Sequence, residues 1–331
     1  MGKPFDRFGK FGNEGSEGSE GSEGSEGSEG SEGSSGSVFA VAGIAAYSGT
    51  LTSPLLANAL WSTQAELTRG TTGIGAIYNS LTPLQAKEGM ERWSSAVRNE
   101  LYTFELVSGL EFDASQADVA TLKSATAGWS QKLERPLYDQ YNKDLEDALG
   151  YVLNQGALRA DRMNEILAQV AVPYAFFAML LNLQPGRHRY TYELMAAALK
   201  LSGLAVMQFK HHFRVRRPAD RSALVQPVLL TPGHGSFPAG HACQCHFLSS
   251  LLGELAGTNL GGDLGKQLEA LANRIGDNRV IAGLHYKPDI DEGAKLGTAL
   301  WDYFKLKAIT NPGTDSPLQW LWNKAKGEQW T

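Results

Sequence analysis

Residues 190–216 read YTYELMAAALKLSGLAVMQFKHHFRVR. Apolar residues return there every three or four positions, so the stretch predicts one long helix. Pro218 disfavours helical geometry at Arg217 and sets the expected end of that helix. The same period recurs on either side. Residues 83–107 follow Thr82, an N-cap candidate, with Pro83 at the first helical position. Ala86, Met90, Trp93, Val97, Leu101 and Phe104 then mark an apolar stripe. Residues 114–133 start after Asp113 and repeat the pattern with Val119, Leu122, Ala125, Trp129 and Leu133. Further helices are expected over residues 137–153, 160–183, 240–256, 264–282 and 288–307. Alternating β-branched runs with hairpin turns are nearly absent, and residues 224–230 are the only extended-looking connector. The expected fold class is therefore all-α, a helical bundle, and no fixed repeat points to a solenoid.

The chain has 331 residues, and residues 15–32 are six consecutive Gly-Ser-Glu units. Such a tract has no apolar face to bury, so residues 1–37 are expected to be a disordered arm, natural or engineered. Residues 38–331 are then a single helical domain. The arm holds Lys3, Arg7 and Lys10 against Asp6 and seven glutamates. Removing those three basic and eight acidic residues from the chain's 30 and 35 leaves 27 of each. A neutral body gives no support for a nucleic-acid partner. Cys243 and Cys245 point away from each other on a helix and read as buried small side chains, not as a disulfide or a metal pair. The uncharged, core-like run 166–186 carries Gln169, Pro173, Asn182 and Pro185, which suits a buried helix and no membrane span. Residues 38–46 are apolar but follow an acidic tether, so no signal peptide is expected and the chain is taken as soluble.

Three short clusters carry the chemistry: KHHFRVRRP at residues 210–218, PAGH at 238–241, and RVIAGLHYKPD at 279–289. Lys210 and Arg217 are two helical turns apart and are expected on one face, while Arg214 and Arg216 read as solvated. Gly240 and His241 open an apolar helix whose free N–H groups make an anion seat. Pro288 and Asp289 suit the first turn of another helix. Asp289 lies four residues beyond His285 and can accept its ring N–H, fixing the tautomer. Each cluster alone also has a plain reading as a solvated face, a helix cap or a helix-start acid.

Their joint order, K-x6-R-P, then P-x-G-H, then R-x5-H-x3-D, resembles the signature of the type 2 phosphatidic acid phosphatase superfamily, which includes the vanadium-dependent haloperoxidases. The likeness covers residues 205–295 and implies the helical bundle of that superfamily. It implies that Lys210, Arg217, Arg279 and the N–H of Gly240 bind the oxygens of vanadate or phosphate. His285 would be the axial ligand to vanadium, His241 the acid–base, and Asp289 the residue that orients His285. Two positions depart from the pattern. Ala239 stands where serine is usual, removing one hydroxyl worth about 1.5–3 kcal/mol, and Asn278 precedes Arg279 in place of serine.

The resemblance implies two reactions. In one, vanadate is the cofactor, hydrogen peroxide the oxidant and a halide, bromide or iodide, the substrate. Lys210 polarises the oxidant, and the hypohalous acid formed goes on to a small organic acceptor. In the other, His285 attacks a phosphoester and His241 protonates the leaving alcohol. His234, seven residues before His241, resembles the histidine of bromoperoxidases and is expected beside the halide. Met207 matches neither haloperoxidase branch. The haloperoxidase reading is preferred, a soluble acid phosphatase is second, and a non-catalytic phosphate binder is third. The sequence leaves a homo-oligomer open.

Overall fold

A computed structural model describes residues 89–139, 143–171, 173–257 and 263–328. The expected arm over residues 1–37, the apolar residues 38–46 and the Thr82–Pro83 helix start lie outside the described residues. The described part is mostly helical, with one small sheet. In chain order it comprises α1 (Ser95–Val107), β1 (Glu111–Gln116), β2 (Val119–Ser124), β3 (Trp129–Glu134), α2 (Lys143–Gln155), α3 (Arg159–Ala171) and α4 (Pro173–Leu180). There follow α5 (Arg189–Phe213), the short α6 (Pro218–Arg221), α7 (Gly240–Ala256), α8 (Leu264–Ile281), α9 (Lys287–Lys305) and α10 (Pro317–Lys326).

The centre is α7, and its residues 240–249 are all buried. A helix apolar on every side needs neighbours all round, and α7 has them: α5, α8, α9, α4 and α10 pack against it. Glycines set the closest approach. A Cβ on Gly293 of α9 would sit 2.5 Å from the Ala239 carbonyl oxygen, and one on Gly297 only 2.2 Å from that of Cys243. The absent side chains let the α9 backbone lie on α7 and align the two helix starts. Cys243 and Cys245 are free and buried there, and burial pushes the Cys245 thiol up to about 12. They are inert packing residues, as the sequence reading expected.

The expectation of an all-α chain fails at residues 114–133. In place of a helix, β1, β2 and β3 form an antiparallel sheet in that order. The stripe Val119, Leu122, Ala125 fits a helix, but Ala120, Leu122 and Ser124 are buried at period two on β2. Backbone turns decide between the periods. Gly109 at φ +82 ends the chain's run as α1, and Gly128 at φ +62 closes the β2–β3 connection, both in the left-handed region that favours glycine. The sheet packs Phe112 edge-on against Phe209 of α5 at 5.1 Å, and Trp129 against Tyr303 of α9 at 5.0 Å.

Other helices differ in extent. The helix expected over residues 83–107 is broken at Trp93, and Ser94 caps α1 by accepting from the Val97 amide at 3.4 Å. Residues 137–153 divide into a 3-10 turn, Leu137–Asp139, and α2. Residues 160–183 divide into α3 and α4 at Pro173, whose missing N–H cannot continue the ladder. Residues 224–230 are a connector, as expected. A buried ion pair, Arg98–Glu193, ties α1 to α5. No single helix among the described residues is long and apolar enough to cross a membrane.

The α7–α9 contact yields a stability test. Gly297→Ala forces the α9 backbone off α7 and is expected to cost about 1–3 kcal/mol, an overpacking penalty, read as a lowered urea midpoint. A change within about 0.5 kcal/mol, typical of a surface position, would contradict this packing.

Candidate functional site

The first cluster reaches the site by a different route from the one expected. The α5 helix stops at Phe213, because Arg214 adopts the left-handed conformation (φ 52) and its N–H returns to the Lys210 carbonyl at 3.0 Å. Lys210 and Arg217 therefore do not share a helical face. Arg217 instead leads into α6, its amide held by Asp220 Oδ2 at 3.0 Å. The two cations still converge, through residues 234–236. Lys210 Nζ donates to the carbonyls of Gly235 (2.7 Å) and Ser236 (3.0 Å). Arg217 Nε donates to the carbonyl of His234 at 3.1 Å, and its Nη1 to that of Leu284 at 3.0 Å. Both side chains are about 1% exposed. Arg214 and Arg216 are exposed, as expected.

The third cluster places His285 against Arg217. Gly283 at φ +83 turns the chain tightly after α8, and Pro288 is the second residue of α9. Asp289 Oδ2 accepts from His285 Nδ1 at 3.1 Å, the contact anticipated from their spacing. A guanidinium only donates, so the 3.3 Å contact of Arg217 Nη1 with His285 Nε2 makes Nε2 the acceptor. The proton is then on Nδ1 and the lone pair on Nε2, on the cation side. Asp289 gathers further donors: Ser236 Oγ at 2.5 Å, the Tyr286 amide at 3.0 Å and the Tyr138 hydroxyl. Burial alone would push this carboxyl up. The hydrogen bond from His285 and those from the two hydroxyls outweigh it and hold Asp289 below its usual value.

The second cluster joins through the backbone, where the Ala239 amide donates to the Asp289 carbonyl at 3.0 Å. Gly240 is the first residue of α7, so its N–H belongs to the unsatisfied end of the helix. His241 Nε2 lies 3.0 Å from the carbonyl oxygen of Gln169. A carbonyl only accepts, so Nε2 carries the proton and Nδ1 is the basic nitrogen. Residue 173 would ordinarily donate to that carbonyl, but it is Pro173, which leaves the oxygen for the histidine. The two imidazoles are thus held in opposite tautomers.

Arg279 donates to the Ile166 carbonyl at 3.0 Å and to Gln169 Oε1 at 3.4 Å. The departure at Asn278 has a partner set of its own. Its Nδ2 donates to Gln169 Oε1 (2.9 Å) and Glu165 Oε2 (3.1 Å), and its Oδ1 accepts from Arg162 at 3.3 Å. Arg274 holds Glu165 down to about 2. This network fixes α3 across the site.

His234 joins the cluster too, its Nδ1 lying 3.3 Å from Arg217 Nη2. Every residue singled out from the sequence thus lies on three connected segments. Carbonyl dipoles aim Lys210, Arg217 and Arg279 without cancelling their charge, which suits an anion with several oxygens. Among the described residues no group of three His, Cys, Asp or Glu side chains makes a cation site. A vanadate oxyanion would need no such group, since cations would hold its oxygens and one imidazole lone pair its central atom. The donor set therefore fits it. Sequence reading missed Ser236, Tyr138, Gln169 and Arg159. Arg159 pins the turn before His285 by donating to the carbonyls of Ile281 (2.8 Å), Gln226 (2.9 Å) and Val225 (2.7 Å).

A lowered carboxyl stabilises the fold above its unfolded value and ceases to do so as pH falls through its folded one. Asp289→Asn is therefore expected to lower the unfolding free energy most at neutral pH. The gap from the unmodified protein should narrow below about pH 4, the usual aspartate range. A gap independent of pH, followed by denaturant titration, would contradict the assignment of an ionised Asp289.

Comparison of the sequence with protein-family models and with curated proteins gave no match.

Proposed function

We propose that the chain is a vanadium-dependent haloperoxidase with the helical bundle of the type 2 phosphatidic acid phosphatase superfamily. The observation that carries this reading is the buried His285. Asp289 holds its Nδ1–H, while its Nε2 lone pair meets Arg217, one of three buried cations with Lys210 and Arg279. A neutral imidazole with a directed lone pair is a ligand for an electrophilic centre, and cations around it accept that centre's oxygens.

Lys210, Arg217, Arg279 and the Gly240 N–H would hold the oxygens, and His285 Nε2 would hold the central atom. Vanadate bound there would supply a Lewis-acidic centre for oxygen transfer from hydrogen peroxide to halide. His241 would receive the proton of the oxidant at Nδ1, because Nε2–H is committed to Gln169. Lys210, fixed by two carbonyls, would bring its positive charge to the oxygen under attack. Burial of all three cations excludes water, which strengthens each of these interactions. His234 beside Arg217 favours the halide branch. A cavity of about 650 Å3, walled in part by Leu137, Tyr138, Phe237 and Pro288, is large enough for a small organic acceptor.

The same Nε2 lone pair can attack phosphorus, so one experiment covers both reactions. The metal-free protein is incubated with vanadate, hydrogen peroxide and bromide, and separately with p-nitrophenyl phosphate. Vanadate-dependent bromination is expected, falling by more than roughly 100-fold in His285→Ala, beyond the range for loss of a group that only supports a ligand. Phosphate release that vanadate inhibits, with no halogenation, would overturn the haloperoxidase reading in favour of a phosphatase. Phosphate binding without either turnover would leave only a binding protein.

A further inference from the structure

We infer that Tyr138 is a positioning residue for His285, acting through Asp289; this rests on the oxyanion reading of the site. Tyr138 belongs to the turn Leu137–Asp139 that follows the sheet, 151 residues from the aspartate in sequence. Its hydroxyl donates to Asp289 Oδ1. The other oxygen, Oδ2, takes the donors from His285, Ser236 and Tyr286. The torsion that turns a carboxylate about its Cβ–Cγ bond is broad and weakly restrained. Donors on one oxygen leave that rotation open, whereas a donor on each oxygen fixes the plane. Tyr138 supplies the donor on the second oxygen, in a site where Asp289 has no exposure to water.

A fixed plane keeps Oδ2 on His285 Nδ1. That keeps the proton on Nδ1 and the lone pair on Nε2, where the oxyanion is to be held. The phenol is the donor and the carboxylate the acceptor, so the proton between them is the tyrosine's. The ring and the hydroxyl have separable roles. The Tyr138 ring lies 4.2 Å from that of Tyr286, tilted by 36°, and the residue is buried. Phenylalanine keeps this packing and removes only the donor.

The test is Tyr138→Phe, compared with the unmodified protein at one fixed pH. Nitrogen-15 NMR of labelled histidine first reads the His285 tautomer with no anion present. The unmodified protein is expected to show Nδ1–H, and the variant a mixture of tautomers. Calorimetry then measures vanadate and inorganic phosphate. Vanadate affinity is expected to fall about tenfold, the lower range for loss of a group supporting a metal ligand. Phosphate, held by charges that Tyr138 does not alter, should change by less than about twofold. An unchanged tautomer with unchanged vanadate affinity would overturn the inference. So would an equal loss for both anions, which means collapse of the whole cage. If the unmodified protein binds neither anion, the proposed function fails, while the anion-free tautomer comparison still decides the role of Tyr138.

Discussion

The Asp289 carboxylate is the contact on which the rest of the site depends. It is fully buried and takes donors from His285, Ser236, Tyr286 and Tyr138, while its own carbonyl accepts from Ala239. Three stretches far apart in the chain therefore end on one residue: the turn after the sheet, the segment 236–239, and the start of α9. A buried ionised group is costly unless every lone pair is answered. Once answered, it specifies one arrangement of its neighbours, because any other leaves the charge exposed to apolar surroundings.

The scaffold makes that convergence possible by bringing backbones together. Gly293 and Gly297 let α9 lie directly on α7, so the helix starts that carry Asp289 and Gly240 meet. At the other face, α3 supplies the Ile166 and Gln169 carbonyls to Arg279 and His241. Lys210 and Arg217 are aimed by the carbonyls of residues 234–236 and 284. Each cation thus has its direction set by a backbone oxygen. These contacts fix where each positive charge sits, an arrangement that suits an oxyanion site.

The sequence was most legible where one residue type settles the local geometry. Residues 240–256 form a helix at both expected ends, because an apolar run opens at Gly240. The His285–Asp289 contact follows from four-residue spacing at a helix start. Lys210 and Arg217 come together by a route other than the expected shared helix face, since Arg214 stops the helix early. The sheet was misread because Val119 and Leu122 satisfy a helical step, while the glycine turns that overrule it act through backbone conformation. Tyr138 was invisible for the same reason, since the misread sheet delivers it. Gln169 acts through a carbonyl that Pro173 releases, and no side-chain motif records that.

The central claim is that three basic segments form one oxyanion cage around the His285 lone pair. A crystal structure of the protein with orthovanadate tests it most directly. Vanadium is expected within bonding distance of His285 Nε2, with its oxygens on Lys210, Arg217 and Arg279. Vanadate bound elsewhere, or bound to those cations with no bond to His285, would contradict the account.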